Sequence, residues 1–277
     1  SDPYDVISTS EARERAAGKP KSFLHVVRSE IDLPEGTDCY ATHVYEKASG
    51  NLQGMIANGV LQRESQPSIY LYRQIREGIA QVGIVGCVEA EQYRSGGIRK
   101  HEKTRPDKED DRTRHLLATA CHAEPVFLCF RDEPNEGTTI HSMMEADMQS
   151  SPLFDFVAPD GVQHTGWSVS APVRYVSAFS HLDRLYIADG HHRSAGAERA
   201  ATASKEADTN GSGDSVPVLV VFVRSHMHNI GGTWNNCRQV IVVPMEDWAS
   251  IIFSRHSADV SSRISCCCCA TTIHKKK

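Results

Sequence analysis

An α+β fold, a mixed sheet with flanking helices, is what this sequence predicts. Three observations point to it. Short apolar runs with strand-like spacing interleave with segments of helical spacing. Two of the strand-like runs are joined directly at Glu77-Gly78, a turn that sets them antiparallel. The chain has 277 residues and 40% hydrophobic content, enough for one sizeable core or a core with an appendage.

The elements follow in order. "KSFLHVVRSEIDL" (Lys21 to Leu33) groups its apolar residues and predicts a strand. Residues Cys39 to Glu64 predict a helix, because Leu52, Met55 and Ile56 recur at helical spacing and Asn58-Gly59 is a stop. "PSIYLYRQI" and "QVGIVGCVEAEQY" predict paired strands. Arg105 to Ala120 predicts a second helix. Thr104 would cap it with Asp107 three residues on, and Pro106 sits in the first turn, where its missing N–H costs little.

Beyond that helix, Ala123 to Phe130 reads as a buried strand and Thr138 to Ser150 as a short helix. "VQHTGWSVS" and "RLYIA" read as further strands, and Ser194 to Ala203 as a helix. Ser204 to Ser215 has the composition of a flexible loop, and Val216 to Val223 is one more buried strand. After Arg224 the pattern weakens. Residues 1–224 are therefore expected to form the α+β domain, and residues 225–277 a divergent, partly disordered segment.

Composition excludes several classes. The formal charge of -5 gives no basic footprint for nucleic acid. No apolar run reaches the ~20 residues a membrane helix needs. The first twenty residues lack the basic and apolar regions of a secretory signal, and with no leading Met the natural start is expected upstream. Of nine cysteines, five are scattered singly, which reads as a reduced, cytoplasmic protein. Cys266 to Cys269 are consecutive. Zinc ligands need intervening residues so the chain can wrap the ion, so this run reads as a disordered tail.

Two constellations carry chemistry. In "RLYIADGHHRSAGAERA" an apolar strand stops at Asp189-Gly190, and two histidines and an arginine precede a small-residue helix. Gly190 permits a positive φ or a close backbone approach. The first N–H groups of the helix have no internal partner and favour an anion. Arg193 could grip phosphate oxygens bidentately and a histidine could add a hydrogen bond. Asp189 could hold magnesium, or simply cap the helix. His191 and His192 are a poor zinc pair, because adjacent residues rarely point at one ion. The second constellation is "GGIRKHEKTRPDKEDDR". It packs Arg99, Lys100, His101, Glu102, Lys103 and Arg105 without an apolar break, and Arg112 shares a helix face with Lys108. A solvated helix start explains such a run as readily as a site does. Among the abundant histidines, His115, His122 and His164 also show no spacing that specifies a metal set.

Six ordered motifs carry a resemblance: "PYDVIS", "SFLHV", "IYLYRQ", "KHEKTRPDKEDDR", "EPVFL" and "LYIADGHHRSAGAERA". On these the chain is identified as a member of the domain of unknown function 1015 family, from about Asp2 to Val223. The family is also remotely similar to the ParB, sulfiredoxin and free-serine-kinase superfamily, whose members hold nucleotide phosphates on a Gly-His-x-Arg-like turn. That likeness implies a ParB/sulfiredoxin-like core. It makes Gly190, His191, His192 and Arg193 the phosphate loop and Asp189 a magnesium or catalytic carboxylate.

These readings together predict nucleotide-dependent phosphoryl transfer to a small hydroxyl compound, with a free amino acid such as serine as the first acceptor. Glu102, Asp189 and His192 would be catalytic. Gly190, His191, Arg193, Lys100, His101, Arg105 and Arg112 would bind the phosphates of a nucleoside di- or triphosphate, and Asp189 would hold Mg2+. The alternative is a nucleotide-binding module without catalysis. A sulfiredoxin-like activity would need a nucleophilic cysteine beside the turn, and "DGHHR" has none. Neither the nucleotide base nor the oligomeric state is legible in the sequence.

Overall fold

The computed structural model describes residues 6–63 and 68–207, together with strand backbone at 217–224, 251–252, 264–265 and 271–272. In chain order the elements are α1 (Thr9–Ala16), α2 (Leu24–Val27), a 3-10 turn (Ser29–Asp32), α3 (Thr42–Ala57), β1 (Gln62–Arg63), β2 (Tyr70–Arg76) and β3 (Ile79–Glu89). Then come α4 (Ala90–Arg94), β4 (Ile98–Arg99), α5 (Pro106–Thr119), β5 (Cys121–His122), β6 (Val126–Phe130), α6 (Ile140–Asp147), β7 (Phe154–Val157) and β8 (Gln163–Ser168). The chain continues through α7 (Pro172–Ser180), β9 (Leu185–Asp189), α8 (His191–Ala207), β10 (Pro217–Arg224), β11 (Ile251–Ile252), β12 (Ile264–Ser265) and β13 (Thr271–Thr272).

The fold is α+β with a mixed sheet. Its main strand order is β4-β9-β6-β10-β3-β2-β8-β7, and β12 also pairs with β3. The pairs β4/β9 and β6/β10 are parallel, and the other pairs of this sheet are antiparallel. The β2/β3 hairpin closes at Arg76↔Ile79 through Glu77 (φ 51°) and Gly78 (φ 78°). Both central residues are left-handed, which matches the twist of the flanking strands. β10, an uninterrupted apolar run, lies between β3 and β6. One apolar cluster gathers Leu71, Ile84, Leu128, Phe130, Tyr175 and Ile187, from the sheet and α7. A second gathers Leu24, Val27, Ile31, Leu52 and Met55 from the N-terminal helices.

Several expectations need correction. Lys21 to Leu33 is not a strand: it forms α2 and the 3-10 turn. Its buried residues Leu24, Val27 and Ile31 recur at three and four, the helical period, which a plain apolar run conceals. Thr104 does not cap α5. Arg105 is the N-cap, without a side-chain bond, and the Thr104 hydroxyl donates to Glu109. Ala90 to Tyr93 leaves the strand and forms α4. The last helix begins at His191, three residues before Ser194, because Gly190 (φ 90°) turns the chain from β9 directly into it. Helices α1 and α7 and strand β7 were not anticipated. The Ser204 to Ser215 loop overlaps the end of α8, and its residues 208–215 lie outside the described residues, as do Tyr4, Asp5 and Cys266 to Cys269.

Candidate functional site

The two charged constellations meet. β4 and β9 are parallel neighbours, with Arg99 in register with Tyr186. Both therefore end at the same edge of the sheet. The loop leaving β4 (Lys100 to Thr104) and the turn leaving β9 (Asp189 to His191) emerge side by side, where parallel strands commonly place ligand sites. The carboxylate Oε2 of Glu102 lies 3.7 Å from Nδ1 of His191. The ring of His101 meets that of His191 edge-on, with centroids 4.4 Å apart.

The turn itself is tightly tied. The guanidinium of Arg193 donates to the Pro125 carbonyl and to Oδ2 of Asp189. It also lies across Gly190: a Cβ there would come within 3.2 Å of its Cζ. The Ser194 N–H bonds the Gly190 carbonyl at 2.9 Å, the first bond of α8. The N–H groups of His191, His192 and Arg193 precede that bond, at the end of a 17-residue helix. His191 is only 5% exposed. Burial first, then the neighbouring His101, lowers its pKa, while Glu102 and Asp189 act in the opposite direction. Its imidazole is therefore held toward the neutral form. The Nε2 atoms of His191 and His192 are buried without a hydrogen-bond partner among the described residues.

The other expected phosphate ligands are placed elsewhere. Lys100 projects over Tyr93, its Nζ 3.5 Å from the ring centroid. Arg105 pairs with Asp107 at 2.7 Å on the surface, where such a pair contributes little. Arg112 is buried between Asp111 (2.6 Å) and Glu124 (3.2 Å). It faces a small open cleft whose lining also includes Arg28, Glu30, Tyr45, Lys108 and Asp111. His164 takes part in a buried contact with the Tyr72 hydroxyl at 2.5 Å, and Trp167 is core, its indole N–H donating to the Ser150 carbonyl.

Two residues outside the expected set hold the site together. Glu124 binds Arg112, and the next residue, Pro125, accepts Arg193. One dipeptide thus joins α5 to the first turn of α8. The signal in the sequence was a carboxylate opening an otherwise apolar run, "EPVFL", in a place where burial demands a cation.

Among the described residues, no helix is long and apolar enough to cross a membrane. The family model described as "Protein of unknown function (DUF1015)" matches residues 1–231. No curated protein and no solved structure matches the chain.

Proposed function

The chain belongs to the DUF1015 family, whose description assigns no reaction; from its own site we propose nucleotide-dependent phosphoryl transfer to a small hydroxyl compound. One observation carries the reading. A carboxylate with 60% of its side chain exposed, Glu102, stands 3.7 Å from His191 at the amino end of the 17-residue helix α8. An anion-favouring helix end and a proton acceptor thus share one edge of the sheet.

In this reading the N–H groups of His191, His192 and Arg193 receive the phosphates of a nucleoside di- or triphosphate. The hydroxyl oxygen of the acceptor attacks the terminal phosphorus, the bond to the bridging oxygen breaks, and Glu102 takes the hydroxyl proton. Asp189 keeps one oxygen beyond its Arg193 bond for Mg2+, and His192 adds a donor to the transferred group. Arg193 acts by holding the turn, with Asp189 and Pro125 as its partners. The mixed-charge cleft beside Arg112 suits a zwitterion, which keeps a free amino acid such as serine as the first acceptor to test. The strand–turn–helix at Asp189 to Arg193 also underlies the proposed remote kinship with the ParB and sulfiredoxin superfamily.

The test pairs binding with turnover. ATP, ADP and CTP are screened for a rise in Tm, since a ligand held only by the native state stabilises it. Product formation is then assayed with free amino acids. Glu102→Gln should retain the nucleotide-dependent rise and lose turnover. If no nucleotide raises Tm, the reading fails. A rise in Tm with no product from any acceptor favours the non-catalytic nucleotide-binding module.

A further inference from the structure

We propose that His101, Glu102 and His191 form a binding site for one borderline divalent transition-metal cation, represented by Zn2+ or Co2+. One ligand atom from each residue lies within 4.8 Å of the others. Ligands about 2.1 Å from a tetrahedral ion stand roughly 3.4 Å apart. The Glu102–His191 separation of 3.7 Å is already close to that spacing. Closing the widest gap, from at most 4.8 Å to roughly 3.4 Å, asks up to about 1.4 Å of His101 and Glu102, which are exposed residues on a loop.

The state of His191 supplies the independent argument. The residue is 95% out of solvent. Among the described residues its Nε2 is buried without a hydrogen-bond partner, and its Nδ1 stands 3.7 Å from the Glu102 carboxylate, beyond hydrogen-bond reach of it. A buried ring nitrogen without a partner is costly. The ring faces a carboxylate and a second imidazole at a distance that a shared ion would bridge. Magnesium and calcium prefer all-oxygen shells, whereas two imidazoles and one carboxylate suit Zn2+, Mn2+, Fe2+ or Co2+ and leave coordination positions open.

This inference does not rest on phosphoryl transfer. The two roles of Glu102 in fact compete, because a carboxylate bound to a cation is a weaker proton acceptor.

The experiment uses the full chain, freed of metal by chelation and titrated with Co2+ in the absence of nucleotide. Wild type should take up one equivalent, with visible absorbance of nitrogen/oxygen ligation. His101→Ala and Glu102→Gln alter exposed side chains and leave the core intact, so their folds serve as controls by circular dichroism. Each should bind at least about tenfold more weakly, the loss that even outer-sphere partners give. Three results overturn the site: no uptake by wild type, affinity unchanged in both variants, or a spectrum carried wholly by thiolate charge transfer, which would place the metal on cysteines.

Discussion

Arg112 and Glu124 form an ion pair at 3.2 Å with 10% and 5% of their side chains exposed, and Asp111 completes the arginine's shell at 2.6 Å. Two buried carboxylates thus share one guanidinium, and Asp111 also accepts the Tyr45 hydroxyl at 2.8 Å. Arg112→Met removes the cation from beside both, and breaking such a buried pair costs about 3–5 kcal/mol. Urea unfolding should show that loss. A change below about 1 kcal/mol would mean that other donors or water already satisfy these acids.

The turn before α8 gives a second test. Gly190→Ala must hold φ at 90° and meets the Arg193 guanidinium at 3.2 Å. Gly18 has φ 69° but nothing within 4 Å of an added Cβ. Both substitutions strain the backbone by about 1–2 kcal/mol. Only Gly190→Ala also displaces Arg193 from Pro125 and Asp189. It should therefore be the more destabilising of the two by a further ~1 kcal/mol or more in thermal unfolding. Equal losses would show that the arginine does not lock the turn.

Much of the fold was legible because local signals and packing agree. The hairpin at Glu77-Gly78, helix α3 with its stop at Asn58-Gly59, and the run that forms β10 all read directly from period and turn chemistry. α1 could have been found too, since Ser8 and Glu11 form a capping box. The site was half legible. Each constellation stood out by its residue types, but their meeting depends on β4 and β9 being parallel neighbours, which no local pattern states. The imidazole that meets His191 edge-on is His101, ninety positions away, a pairing that no local spacing announces. Arg112 misled for a related reason: its charge suggested phosphate, and its partner Glu124 lies in an apolar run.

The crossing of α5 and α8 gives a third prediction. A Cβ on Gly196 would lie 2.9 Å from Cβ of Arg112 and 3.2 Å from the Thr113 nitrogen. Replacing glycine with alanine inside a helix normally stabilises by about 1 kcal/mol. Here the obstacle includes backbone, so the helices must separate, at roughly 1–3 kcal/mol. Gly196→Ala should lower Tm. Gly54→Ala in α3, with open space around it, should raise or preserve Tm. A rise for both would show that the helix pair yields easily.

His115 should make stability depend on pH. The side chain is buried in α5, and its Nε2–H donates to the Val26 carbonyl at 2.9 Å, which fixes the neutral tautomer. Burial, reinforced by the nearby Arg112 charge, lowers its pKa from 6.5 to about 4, while the Val26 bond and Asp111 oppose the shift. The unfolded chain therefore takes up a proton on this ring near pH 6.5, whereas the folded chain resists until about pH 4. Stability from this group is complete above pH 6.5, falls as pH drops through the window, and is gone below about 4. Across the whole window the loss is about 3 kcal/mol. Urea midpoints measured between pH 7 and pH 4.5 should fall for wild type. His115→Gln removes the titrating ring, so its midpoints should fall less steeply over the same range. Parallel slopes in the two proteins would assign the acid sensitivity to other groups.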